Sequence, residues 1–161
     1  MLDKRLMDVI DKQELLELVT RYCRAIDRAD EDLFLSCYHP DAYDHHGPYS
    51  GSPAQMLAAL RKTTLGSLDV PVQHAISNAL FEIHGDVAFG ETYFQTRRPD
   101  EAGGLAMSVG RYVDRFERRD GQWRIVLRRC IIDYARKGTR REDFVQGRRD
   151  RSDPSYDRSL M

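Results

Sequence analysis

The chain has 161 residues, with 25 basic and 26 acidic side chains and a formal charge of −1. That length fits one compact domain, and the near-neutral balance argues against a dedicated nucleic-acid binder. No apolar run reaches the roughly 18–20 residues of a membrane span. The opening MLDKRLMDVI lacks the hydrophobic block of a secretory signal. Cys23, Cys37 and Cys130 are far apart and form no CxxC, which suits free thiols in a reducing cytosol. The expectation is a soluble cytoplasmic domain with no nucleic-acid or membrane partner.

Helices come first in chain order. Leu15, Leu18, Val19, Tyr22, Cys23 and Ile26 recur on one helical face. Asp30 is placed to cap a second short helix carrying Leu33, Phe34, Cys37 and Tyr38, which stops near Pro40. The stretch AYDHHGPYSG reads as a short strand running into a turn. Ser52 and Pro53 then read as the cap and first turn of a third helix with Met56, Leu57 and Leu60 on one side.

The second half changes period to that of strands. Val72–Ile83, Val87–Arg97, Ala106–Arg118 and Trp123–Tyr134 read as four long strands. Glycine turns at 84–86 and 119–122 join two pairs of them as hairpins. Strands this long must twist and curl, with helices covering one face. The expected architecture is an α+β domain, a cone-shaped barrel of N-terminal helices on a strongly curved, mixed or antiparallel sheet. Such a cone encloses a pocket. It would span residues 1–135, leaving 136–161 as an arm with few apolar side chains, packed on the domain or on a neighbouring subunit. The arm is basic: its stretch 136–158 holds eight basic and five acidic groups.

Three polar residues sit at odd places in this pattern. Asp27 lies at the edge of the apolar stripe of the first helix. His74 shares a strand face with Val72, Ile76, Asn78 and Leu80, and Arg129 alternates with Trp123, Ile125, Leu127 and Ile131. A guanidinium on so apolar a face must find a partner, because an unpaired buried charge is very costly. A carboxylate beside a histidine fixes its tautomer and suits it to general-base work near neutral pH. An arginine nearby could meet the negative charge left when a carbon-bound proton departs. Each residue taken singly has an ordinary structural reading as well, as a helix-end acid, a core histidine or a sheet-edge cation.

The order of elements, the segment AIDRADEDLFLSCYHPDA, the strand VQHAISN and the hairpin RFERRDGQWRI resemble the SnoaL-like branch of the nuclear transport factor 2-like superfamily. The resemblance covers about residues 9–135 and extends to the hexachlorocyclohexane dehydrochlorinase and scytalone dehydratase families. It implies a cofactor-independent lyase with Asp27 in RAID and His74 in VQHAIS as the catalytic dyad, and Arg129 in LRRCI assisting the departing group. Tyr22 stands where the dehydrochlorinases carry a lysine, and Tyr43 or Tyr49 could serve as a substrate-binding tyrosine. Asn78, on the face of His74, completes the expected pocket. The implied substrate is a small, largely apolar cyclic molecule, and the implied assembly a homodimer or homotrimer. An isomerase or cyclase would use the same base. A non-catalytic module, like the small subunit of ring-hydroxylating dioxygenases, would use the fold without a dyad.

His39, Asp41, Asp44, His45 and His46 crowd into eight positions, but adjacent histidines on an extended strand point to opposite faces. No metal site is expected there, and one of these residues is read as a group at the pocket mouth. Gly103-Gly104 reads as a rim loop.

Overall fold

Asp3 opens the first helix, α1 (Lys4–Asp27), by accepting the Arg5 backbone N–H at 2.8 Å. In this computed structural model residues 3–66, 70–99, 105–135, 145, 152 and 154–157 are described. The helix starts well before the stripe at Leu15, because its first turns carry Leu6, Met7, Val9 and Ile10 exposed. From Leu15 onward the predicted stripe is buried. Asp11 fastens the early turns to the far hairpin, accepting Trp123 Nε1–H at 3.0 Å and Arg118 Nη1–H at 2.5 Å.

Asp30 caps α2 (Glu31–Ser36) as expected, through the Leu33 N–H at 3.0 Å. Tyr38 and Pro40, however, belong to a strand, β1 (Tyr38–His45), and not to that helix. Pro40 lacks an N–H and is tolerated because β1 lies at a sheet edge. Ser52 caps α3 (Pro53–Arg61), with Gln55 closing a reciprocal capping box.

Four long strands follow: β2 (Gln73–His84), β3 (Val87–Pro99), β4 (Leu105–Arg119) and β5 (Gln122–Ala135). The order across the sheet is β1-β5-β4-β3-β2, with β1 parallel to β5 and every other pair antiparallel. The sheet is therefore mixed and open, not a closed barrel, and β1 and β2 are its two edges. Both hairpins use left-handed backbone: Gly85 has φ +65°, and Asp120 and Gly121 have +52° and +74°.

Register shifts in the ladders decide which side chains face inward. One falls between Ile76 and Ala79 on β2 and another opposite Val126 on β5. A bulge of this kind moves every later side chain to the other face. Thus Phe81 is buried and Leu80 is 66% exposed, the reverse of the alternation expected from His74 onward. Past Val126, Arg128, Cys130 and Ile132 are buried on the inner face.

A third shift lies at Gly110, where a Cβ would stand 1.9 Å from the Ile131 carbonyl oxygen. Backbone cannot yield there as a flexible side chain could. Gly110→Ala should cost about 1–3 kcal/mol, read as a lower urea midpoint; an unchanged midpoint would contradict this packing.

The main core lies between the helices and the concave sheet face, around Tyr22, Phe34, Tyr38, Tyr112, Phe116 and Ile125. A smaller cluster on the outer face joins Val113 and Ile131 to Phe89 and Val145. Val145 forms an isolated parallel bridge with Ile131. Most of the expected 136–161 arm, and the Gly103-Gly104 loop, lie outside the described residues.

Candidate active site

The end of α1 packs against the start of β2, which brings residues 27 and 74 together. His74 Nδ1 meets Asp27 Oδ1 at 2.6 Å, and the His74 backbone N–H is 3.0 Å from both carboxylate oxygens. Three interactions between one carboxylate and one residue fix the imidazole in position. With Nδ1 committed to Asp27, Nε2 is the nitrogen left for a guest.

His74 lines a cavity of about 140 Å³ between α1, α3 and the concave sheet face. Tyr22, Ile26, Met56, Leu60, Phe94 and Ile132 supply apolar walls, Tyr49, Thr64, Thr96 and Ser108 add hydroxyls, and Arg97 and Arg98 add positive charge at the lining. Phe94 and Tyr112 stack at 4.2 Å between ring centres and form a flat aromatic surface. Burial pushes the Tyr22 and Tyr112 phenols well up, so both remain neutral. An apolar cavity of about 150 Å³ holds a benzene-sized guest, so a single ring is the natural scale here.

Of the remaining expected residues, Tyr22 and Tyr49 line this cavity. Three do not. Asn78 is exposed, because the β2 bulge turns the strand beyond Ile76. Tyr43 is 44% exposed and packs its ring on His45, on the side of β1 opposite buried Ala42 and Asp44. Arg129 pairs in register with His45 and stands outside the cavity lining, since the β5 bulge turns it outward. Burial lowers its pKa, partly offset by Asp157.

The inward arginine is Arg128, which sequence alternation missed. It is fully buried and donates to both Asp114 oxygens, Nε to Oδ1 and Nη2 to Oδ2, each at 2.7 Å. Its guanidinium lies 4.1 Å from the ring centres of both Tyr22 and Tyr112. The cation thus underlies two rings that line the cavity, without lining it itself.

His46, just past β1, is the second imidazole on the cavity wall. Its Nδ1 is 3.3 Å from Asp44 Oδ1, and the other oxygen of Asp44 accepts the Tyr38 hydroxyl at 2.6 Å. Burial opposes a positive His46, but Cys130 and Asp44 beside it outweigh that and push its pKa up to about 10. His45, by contrast, packs on the exposed Tyr43 ring and is not part of the cavity lining. Among the described residues no group of three acidic, histidine or cysteine side chains is placed to hold a metal.

This architecture has a match by sequence as well. The family model of the SnoaL-like domain matches residues 7–129. The chain belongs to the SnoaL-like domain family. No curated protein matches it by sequence. Among solved structures, a variant of Rv3472 from Mycobacterium tuberculosis, a protein of unknown function, is 27% identical with a TM-score of 0.69. That match covers 81% of this chain and 76% of the other. The hexachlorocyclohexane dehydrochlorinase LinA-type3 from Novosphingobium barchaimii LL02 is 17% identical, covering 82% and 92%, with a TM-score of 0.72. A candidate scytalone dehydratase from Novosphingobium aromaticivorans DSM 12444 is 14% identical, covering 83% and 91%, with a TM-score of 0.72. These last two likenesses show a shared fold, and not a shared chemistry.

Proposed function

We propose that this SnoaL-like protein is a cofactor-independent lyase acting on a small, largely apolar, single-ring molecule. His74 takes a carbon-bound proton through Nε2, and Asp27 holds its ring and balances the charge that the imidazole acquires. The leaving group, a hydroxyl or a halide, departs from the neighbouring carbon as a double bond forms. The 2.6 Å contact between Asp27 and His74 at the wall of a ring-sized cavity carries this reading. Arg129 has no part in it. The dehydrochlorinase and the candidate dehydratase named above add support by likeness of fold.

An isomerase or cyclase would start with the same proton removal and differ in where the proton returns. Incubating the protein with cyclic β-hydroxyketones and β-haloketones separates these outcomes by product. Enone formation is the expected result. If neither elimination nor exchange of the acidic C–H with deuterium from heavy water exceeds the buffer rate, the lyase reading fails.

We also propose a homo-oligomer in the cytoplasm. Leu80 and Tyr93 lie exposed on the outer sheet face, and all three cysteines are free and buried. Light scattering at micromolar concentration should give at least twice the monomer mass; a monomer mass would refute self-association. No helix among the described residues is long and apolar enough to cross a membrane.

A further inference from the structure

The dyad leaves the second imidazole of the cavity wall without a task. His46 borders the chamber from the end of β1, whereas His74 enters from β2. Those strands are the opposite edges of the sheet. Both nevertheless line one cavity, so one guest there would have an imidazole from each edge strand's side of the sheet beside it.

The position of His46 is built and not incidental. Its backbone N–H donates to Ser50 Oγ at 2.9 Å, and Ser50 in turn donates to the Gly47 carbonyl at 2.7 Å. Asp44 is bridged to Gly51 in both directions, its N–H to the Gly51 carbonyl at 2.9 Å and the Gly51 N–H back at 3.0 Å. The Asp44 side chain is wholly buried and holds the imidazole on one oxygen and Tyr38 on the other. A buried carboxylate is costly without a cation, and the imidazolium form of His46 supplies one. The ring also lies beside Cys130 and keeps 18% of its side-chain surface accessible, more than the 10% of His74.

A base and a cationic donor lining one cavity match what loss of water requires. Hydroxide leaves poorly unless it is protonated as the C–O bond breaks, whereas chloride needs no proton. We propose that His46 is a second catalytic residue, the general acid that protonates the departing hydroxyl of a cyclic β-hydroxyketone. This assignment rests on the lyase reading above and narrows its substrate class. In the step, His74 takes the proton from the carbon beside the carbonyl, and that electron pair forms the C=C bond. The C–O bond to the β-carbon breaks, and its electrons take a proton from His46. Enone and water are released, with His74 protonated and His46 neutral. Exchange with solvent returns both to their starting forms, so atoms and charge balance.

The test compares 3-hydroxycyclohexanone with 3-chlorocyclohexanone, following the absorbance of 2-cyclohexenone above the buffer rate. His46→Gln should lower kcat/KM for the hydroxyl compound by about 100-fold or more, and for the chloride by less than about threefold. His74→Ala should lower both. Equal losses on the two compounds for His46→Gln, or no loss on either, overturn the assignment. A wild-type protein inert toward both compounds overturns the lyase reading itself and the assignment with it. If His46→Gln does not fold, the wild type decides through its solvent isotope effect. Slower turnover in heavy water for the hydroxyl compound alone supports the general acid, and equal effects on both compounds refute it.

Discussion

Arg128→Met should lower unfolding free energy by about 3–5 kcal/mol, the largest effect of any single side chain in the sheet. The reason is what the substitution leaves behind. Asp114 is wholly buried, and its two oxygens take the Arg128 Nε–H and Nη2–H. Without that guanidinium, a carboxylate remains in the interior with neither of its hydrogen-bonded cation contacts. Arg128 Nη1 has no hydrogen-bond partner among the described residues, but the faces of Tyr22 and Tyr112 cover the cation from two sides. Lysine could not bridge both oxygens in a plane, so Arg128→Lys should recover little. The double variant Arg128→Met/Asp114→Leu removes both charges and should regain most of the loss. Urea unfolding of the three variants checks this. A loss under about 1 kcal/mol for Arg128→Met would mean that the pair contributes only as an exposed one does.

The same arginine shows where sequence reading stops. Helix caps at Asp30 and Ser52, the glycine turns and the four long strands follow from local rules, and the structure has them at those places. Side-chain facing along a strand follows from a period of two only while the ladder is regular. Trp123 and Ile125 do face inward, but the extra residue at Val126 then hands the interior to Arg128, Cys130 and Ile132. Alternation carried through that point selects Arg129 instead. A signal was present in the sequence: adjacent Ile131 and Ile132 cannot both belong to one face of a regular strand. In β2 the apolar positions likewise pass from even numbers at Ile76 to odd ones at Phe81 and Ile83, which marks the bulge that exposes Asn78. His46 was visible only as one of a crowd, because its inward turn depends on the Ser50 and Gly51 contacts that close the loop after β1. Asp27 and His74, 47 residues apart, could be paired only through resemblance to a family. Periodicity places each on its own element and says nothing of how the elements dock.

Asp27→Asn should cut turnover by roughly 10²–10⁴-fold while the protein stays folded. Asparagine is nearly the same shape and still offers one oxygen to the His74 backbone N–H, which now bonds both carboxylate oxygens at 3.0 Å. Its amide nitrogen, however, is a donor. Turned toward His74 Nδ1, it makes that nitrogen the acceptor and shifts the ring proton to Nε2, where the substrate proton would have to go. The base is then blocked without being moved. Turned the other way, the amide oxygen keeps the tautomer but the charge that balances a protonated His74 is gone. His74→Ala should abolish turnover outright, and product binding should survive in both variants, because the apolar walls around Tyr22, Phe94 and Ile132 are untouched. The competing account is that Asp27 merely latches the end of α1 to the β2 edge. That account predicts the reverse pattern for Asp27→Asn, a lower melting temperature with kcat intact. Measuring both quantities on one variant therefore separates a latch from a working dyad, and full activity in Asp27→Asn would remove the carboxylate from the chemistry.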